Sequence, residues 1–552
     1  MRPAVKILTL ALLGFYSSHG LAQQTGNPFE SVGDQGEWNQ GEWSTDDPVQ
    51  DDVVAPVVSA DRSLPEPTDN GSITIGAIDV NTGLHIPADI LARSYEPFIG
   101  QPATQATLRE LASAVSTAAR NRGYIFASAQ IPPQSVRIGV VQVLVDPGSI
   151  DEVRIVGSQN KKLRKILNLL RSDAAVANIV ERQLLLAGDL PGITLLNSNY
   201  QRENGKGVLI VSVREDQAKG RATVDNYGPE TLGPIRMRLD LDVTGLLTDS
   251  DVLTTNVISS VLQPKELTYI NSRYAITLGD GGTVIGISGA AGRTRSGGNL
   301  RGFNFTGRNR YASIFASQAL KRSNDLNLWL NAELAYLEVQ QSQNGFLFQD
   351  DRIATAAVNF AGNYNLGTGR IYAGIGVTQG LGILGASRIG DPLNSRDDAS
   401  GQFTKANFWI NSVFGLGNGF GMRLAGNAQI ASRPLLSANE IAIGGPYYGR
   451  GYDFSERFGD EGVLGLAELR KEFSDITDWL DWFQVYAFVD GGHVSNIGTG
   501  FGGGSLASTG GGIRSQIGRF DVGVEAAAPI NMDRFESGDK SPKINVQVGL
   551  RF

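Results

Sequence analysis

From Gly220 to Phe552 the chain alternates apolar and polar residues in long runs, and no other feature restricts its fold as strongly. In Ile235-Arg-Met-Arg-Leu-Asp-Leu-Asp-Val243 every odd-numbered residue is apolar and every even-numbered one is charged. Leu326-Asn-Leu-Trp-Leu-Asn-Ala-Glu-Leu334 is similar, with the apolar Trp329 added to the second face. Ile544-Asn-Val-Gln-Val-Gly-Leu-Arg-Phe552 alternates to the last residue. Period two puts one type of side chain on each face of a strand. A β-sandwich shares that pattern and buries the apolar face. Two observations favour a membrane barrel instead. The runs approach the 9–11 residues of a tilted bilayer-crossing strand, and they carry charge on the hidden face, which a wet lumen tolerates and a sandwich core does not. At roughly 20 residues per strand and connection, 217–552 holds about sixteen strands.

Composition narrows the alternatives. Glycine, 69 of 552 residues, exceeds the usual share of about 7% without a Gly-X-Y period, and suits turns and close-packed strands. A net charge of −8 and a pI near 5.2 argue against a nucleic-acid partner. The absence of cysteine removes disulfides, thiolate catalysis and Cys-based zinc sites. Three histidines, His19, His85 and His493, leave little for metal chemistry, so neither metal nor cofactor is expected. Gly498-x-Gly500-x-x-Gly503 matches a dinucleotide fingerprint in letters only, because it opens no helix and has no βαβ context. With no convergent catalytic set, the chain reads as a non-enzyme.

The first 22 residues read as a cleaved secretory signal. Arg2 and Lys6 precede the apolar run Ile7 to Phe15, and Gly20-Leu-Ala22 supplies the small residues of a cleavage site. No later run of about 18 apolar residues exists, so a membrane role requires a barrel. Residues 23–71 hold eleven acidic side chains against Arg62 alone, with Pro48, Pro56, Pro65 and Pro67, and read as a disordered acidic linker. Gly-Glu-Trp occurs in it twice, at 36–38 and 41–43. Residues 72–148 read as a small α/β module. Its first strand is expected around Ile73, Ile75 and Ile78, its helix is marked by Leu108, Leu111, Ala112, Val115 and Ala119, and two strands are expected at 124–130 and 137–145. Residues 149–216 repeat that plan, with helices at 161–170 and 180–187 and strands at 153–156, 193–201 and 207–214.

Inside the strand-rich half, Ile443-Gly-Gly-Pro-Tyr-Tyr-Gly-Arg450-Gly-Tyr452 places one arginine among glycines and aromatics. A loop folded back into a closed space needs such an arginine paired, since an unpaired buried charge is costly. Asp490, in Phe488-Val-Asp490-Gly-Gly492, is the expected partner.

Gly123-Tyr124, Ala129-x-Ile131-Pro132-x-Gln134 and Gly139-x-Val-x-Val resemble a POTRA domain of the two-partner secretion transporters, the TpsB family of ShlB/FhaC/HecB-like proteins. Ile150-x-x-Val153-x-Ile-x-Gly157 resembles the opening strand of a second POTRA, and Asp225-Asn226-Tyr227-Gly228 the first barrel strand and turn. Gly449-Arg450-Gly451-Tyr452 resembles the family's loop motif, with Gly449 in place of Val, and Phe488-x-Asp490-x-Gly492 its second barrel motif. The resemblance covers about 72–552. It implies α+β POTRA repeats, 72–148 and 149–216, ahead of an all-β barrel of sixteen antiparallel strands, 217–552. It implies a loop around 443–462 folded into the lumen, with Arg450 on Asp490. It also implies that terminal Phe552 is the signal read by the outer-membrane assembly machinery. The expected location is the outer membrane, in contact with its lipid, with the POTRA repeats in the periplasm. The expected function is transport of a large unfolded exoprotein, a TpsA-like client, through the barrel. The alternative is an assembly factor that inserts other barrels. Two repeats and the Pro-x-Gln signature favour secretion.

Overall fold

The computed structural model describes residues 57–58, 70–82, 88–134, 138–477 and 480–552. The signal segment and both Gly-Glu-Trp repeats lie outside the described residues. Two compact units separate, one holding 49–216 with 322–324, the other holding the rest of the strand-rich half from Gln217.

That second unit is a closed barrel of sixteen strands, as the alternation predicts. They are β1 (Ala218–Asp225), β2 (Arg236–Thr244), β3 (Asp251–Ser260), β4 (Leu267–Leu278), β5 (Thr283–Arg295), β6 (Phe305–Lys321), β7 (Leu326–Gln343) and β8 (Phe346–Asn365). They continue as β9 (Gly369–Leu381), β10 (Thr404–Gly417), β11 (Phe420–Ala431), β12 (Glu461–Thr477), β13 (Leu480–Ser495), β14 (Gly504–Ile517), β15 (Phe520–Pro529) and β16 (Lys543–Arg551). Neighbours pair antiparallel, and β1 closes on β16 from Arg221 opposite Arg551 to Asp225 opposite Gln547. Closure leaves no unpaired edge, the condition for a sheet to sit in lipid. Side chains follow the parity of the sequence. Met237, Ile287, Leu334 and Ile375 point outward and are exposed, while Arg236, Asn327, Asn331 and Asp351 on the opposite parity are buried. Among the described residues no helix is long and apolar enough to cross a membrane.

Strand length departs from the expected 9–11. It runs from 8 residues in β1 to 20 in β8. The overrun has a packing reason. Near one end of β7 and β8 the inward residues turn apolar, and Leu337, Val339 and Ile353 form a small core with Ala399, Phe403, Leu435, Leu436 and Ala438 from two long loops. Those loops, 382–403 and 432–460, leave the barrel at that end. Connections at the opposite end are short.

The first unit begins with an α/β module. Helix Gln105–Arg120 is capped by Thr104, whose hydroxyl accepts from the Thr107 N–H at 3.2 Å. It buries Leu108, Leu111, Val115 and Ala119 against Ile75, Val141 and Val143. The sheet orders Ala77–Thr82, Val140–Asp146, Ser128–Gln130. Two expectations are corrected here. The opening strand is broken in two, Asn70–Thr74 and Ala77–Thr82, because Gly76 and Ala77 turn to donate to the Gly139 carbonyl. Residues 124–127 form no strand, because the Ala127 N–H closes a turn on the Tyr124 carbonyl. The second module has helices Lys161–Asn168 and Ala177–Gly188 over strands Glu152–Val156, Ile193–Glu203 and Lys206–Glu215. The linker is not uniformly without structure either, since Val57–Val58 pairs with Ile193–Glu203 as a fourth strand.

Candidate functional site in the barrel lumen

Loop 432–460 joins β11 to β12. Its arms form a short hairpin, Ile441–Ile443 against Arg457–Gly459. Beyond the hairpin the chain turns at Gly444, Gly445 and Gly449, all at positive φ, a backbone region open to glycine at no steric cost. The tip lies against the inner wall. At Gly451 a Cβ would come within 2.7 Å of the Ala528 carbonyl carbon, so the close approach to β15 requires glycine. Tyr452 is fully buried. Its hydroxyl lies 2.7 Å from Asn531 Oδ1 and 3.1 Å from the Ala507 carbonyl, and it accepts from the Met532 N–H at 3.1 Å.

Arg450 is buried in the tip, where three carboxylates of the wall meet it. Nη1 donates to Glu525 Oε2 on β15 at 2.8 Å, and both Nη atoms lie 3.3 Å from Glu468 Oε2 on β12. Asp490 on β13 stands 3.6 Å from Nε, and its Oδ2 accepts the Arg450 backbone N–H at 3.2 Å. The expected pair is therefore present as an ion pair, while the close guanidinium bonds go to Glu468 and Glu525. The guanidinium also lies over the Phe488 ring, 4.3 Å from its centroid, a cation–π contact that strengthens with desolvation.

Each wall carboxylate has a second partner on the wall. Arg514 of β14 donates to both oxygens of Glu468, at 2.9 and 3.2 Å, and stacks on Tyr486 at 3.7 Å. Tyr486 Oη and Asn545 Nδ2 donate to Glu525 at 2.9 and 3.1 Å. Ser508 Oγ donates to Asp490 Oδ1. Cross-strand register makes room for the rings. Phe488 lies opposite Gly510 and Tyr486 opposite Gly512, and a Cβ at Gly510 would meet Phe488 Cζ at 2.8 Å. Gly492, quoted with Asp490, packs against Val463 and Leu464 of β12 and supplies no polar contact to the tip.

A second buried arginine sits where the loop leaves the barrel. Arg396, on loop 382–403, donates through Nη1 to Glu440 at 2.8 Å and to Asp460 at 2.9 Å, through Nη2 to the Ile497 carbonyl at 2.9 Å, and through Nε to Asp398 at 3.2 Å. Asp460, fully buried, also accepts the Leu435 and Ile497 N–H groups at 2.7 and 2.8 Å. One guanidinium thus joins three loops.

Sequence reasoning missed Glu525, Arg514, Arg396 and Asp460. Inward parity marks Glu525 and Arg514 as lumen residues, but parity does not say which rung meets the tip. The other quoted residues lie elsewhere. Phe552 exchanges two backbone bonds of 2.9 Å with Gly220, closing the β1–β16 seam. His493 is a wall residue, its Nδ1 2.8 Å from Ser505 Oγ. Gly123 and Tyr124 meet the second module: the Gly123 carbonyl accepts from the Ala177 N–H at 2.7 Å, and Tyr124 bridges to Val176. Pro132 precedes a side chain that imitates a strand. Gln134 donates to the Gln142 carbonyl at 2.9 Å and accepts its N–H at 3.0 Å, extending the ladder where the prolines cannot donate.

Comparison with known proteins places this architecture. Residues 205–515 match the family model for haemolysin secretion/activation proteins ShlB/FhaC/HecB, and residues 73–148 match the ShlB-type POTRA domain. The heme/hemopexin transporter protein HuxB of Haemophilus influenzae (strain 86-028NP) is 23% identical over 401 residues, 70% of this chain and 69% of HuxB. CdiB from Escherichia coli superposes with a TM-score of 0.71 at 17% identity, over 97% of this chain and 98% of CdiB. CdiB from Acinetobacter baumannii gives 0.63 at 16%, over 98% and 99%. BamA from Haemophilus ducreyi lacking POTRA domains 1–3 gives 0.52 at 15%, over 87% of this chain and 100% of that one. A POTRA domain ahead of a closed sixteen-stranded barrel defines an outer-membrane β-barrel transporter. The family model spans more than half of the chain, which belongs to the ShlB/FhaC/HecB family. It is a two-partner secretion translocator.

Proposed function

We propose that this translocator exports one dedicated, large exoprotein, and that the 432–460 loop is its gate. The short-turn end of the barrel and the α/β modules lie in the periplasm, and the long loops face outward. The client arrives unfolded, and the modules capture it by strand addition, in which main-chain bonds accept many sequences. It then passes through the lumen once the loop shifts, and folding outside biases the transit. The outward apolar band contacts outer-membrane lipid, and the assembly machinery reads the Phe552 end during insertion. The observation that carries the gate is the Arg450 site, a loop arginine fitted to wall carboxylates that each keep another partner.

The test compares culture supernatant with outer membrane by mass spectrometry after deletion of the chain. Loss of one large exoprotein with the barrel proteome intact is the expected result. A general fall in outer-membrane barrels would move the protein to barrel assembly.

A further inference from the structure

Beyond its outward apolar band, the barrel carries a basic patch on one sector. On β5 the outward residues pass from Ile287, Gly289 and Ala291 to Arg293 and Arg295 toward the long-loop end. On β6 they pass from Ile314 and Ala312 to Arg310 and Arg308 in the same direction. All four arginines are exposed. The charge begins one outward step past the last apolar residue, about 7 Å along the strand. On β7 that last step is Tyr336, an aromatic ring where bilayer meets water. At the same end β8 adds an outward Arg352, and the outward positions of the other described strands carry no arginine or lysine there.

The carboxylates of this sector leave the patch positive. Glu338 takes Arg310 at 3.2 Å, and Asp350 takes Arg352 at 2.8 Å. Arg295 donates to the neutral Asn304 Oδ1 at 3.2 Å. Arg293 and Arg308 make no side-chain hydrogen bond or ion pair among the described residues, although they stand directly opposite each other on β5 and β6. Like charges so placed repel, with Cβ atoms about 5 Å apart. A phosphate between them removes the repulsion, and the guanidinium fork matches phosphate oxygens in pairs.

We propose that Arg293, Arg295 and Arg308 clasp a phosphate-bearing lipid headgroup of the outer leaflet of the outer membrane, a leaflet of phosphorylated glycolipid. The acyl chains of that lipid lie along Ile287, Ile314 and Leu334, all exposed below the arginines. Continuity of the patch with the lipid-facing band selects a lipid as the occupant, because a soluble anion gains nothing from apolar contact. The assignment rests on the long loops facing outward, as in the proposed function, and a labelling experiment checks that separately.

The probe is lipid A, with or without its phosphates, added to the purified full-length chain in dodecyl maltoside. Native mass spectrometry counts the lipid retained. The unaltered chain is expected to retain the phosphorylated form about tenfold better than the dephosphorylated form. Equal retention would overturn the proposal, and that reading needs no variant to fold. The Arg293→Gln, Arg308→Gln variant is expected to lose the preference while heat-modifiable gel migration shows an intact barrel. A preference unchanged in the variant would overturn the assignment to these arginines. Inorganic phosphate in excess should leave the lipid bound; displacement would make this a free-anion site and sink the lipid assignment. The chain has no cysteine, so Phe346→Cys, at an exposed position beside the β7–β8 turn, reports orientation through an impermeant maleimide. Labelling of intact cells is expected. Labelling only after the outer membrane is permeabilised would reverse the orientation and remove the outer-leaflet assignment, whatever the purified chain retains.

Discussion

Two buried arginines help to hold the in-folded loop, and they differ in what they hold. Arg450 reaches carboxylates carried by barrel strands, Glu468, Asp490 and Glu525. Arg396 reaches groups carried by loops, Glu440, Asp460, Asp398 and the Ile497 carbonyl. At the tip, the wall keeps Arg514, Tyr486, Asn545 and Ser508 on those carboxylates when Arg450 leaves. Departure therefore leaves Glu468 its second cation, Arg514, and leaves Glu525 and Asp490 their neutral donors. At the root, the bonds on Asp460 come from Arg396 and loop backbone, so losing Arg396 leaves a fully buried carboxylate without its cation. Under the proposed gate, the tip leaves and returns while the roof stays.

The largest expected effect tests the tip. Arg450→Ala should insert and remain folded, because each wall carboxylate keeps a hydrogen-bond donor, yet export the client about tenfold less, since the tip loses its guanidinium anchor. Supernatant abundance and heat-modifiable gel migration measure the two separately, and normal export would sink the gate. Arg514→Ala sharpens the contrast in the opposite direction. Glu468 then keeps Arg450 as its close guanidinium partner, so opening becomes harder by about 1–3 kcal/mol. Single-channel recordings should show fewer openings, and more would refute the shared-carboxylate account.

Arg396→Ala addresses the roof. It should leave the tip seated while proteolysis within 382–403 rises about fivefold, as expected for a local opening made about 1 kcal/mol easier. Equal release of tip and roof would erase the distinction. Asp490→Asn is expected to change export least of the lumen substitutions, by about twofold, because a neutral amide oxygen still accepts the Arg450 N–H. A loss matching that of Arg450→Ala would restore Asp490 as the principal partner. Outside the barrel, Gln134→Ala should raise hydrogen exchange at the Gln142 N–H about fivefold, the loss of one net bond of about 1 kcal/mol, without altering the tip.

Much of the barrel was legible because lipid and a wet lumen impose opposite demands on the two faces of every strand. Met237 and Leu334 outward, Arg236 and Asn331 inward, follow from counting by two. The lumen-facing Leu337, Val339 and Ile353 break that rule, and the break was a readable sign that loops pack there. The sign did not say which loops, because the cluster joins residues roughly 45 to 100 positions apart. In the α/β unit, helix Gln105–Arg120 was legible from its apolar repeat. The turn at 124–127 was not, because its apolar residues imitate a strand.

The sequence alone determined the alternating faces, the near-sixteen strand number, the glycine-rich arginine tip and the family to which these belong. Each is a local property, set by side-chain period or by the backbone freedom of glycine. Tertiary structure decided which carboxylates Arg450 meets. The Phe488-x-Asp490-x-Gly492 motif pointed to Asp490, but register brings Glu468 and Glu525 closest to the guanidinium. Barrel closure and strand stagger fix which rungs share a level, and that stagger accumulates over sixteen strands, beyond the reach of any local pattern.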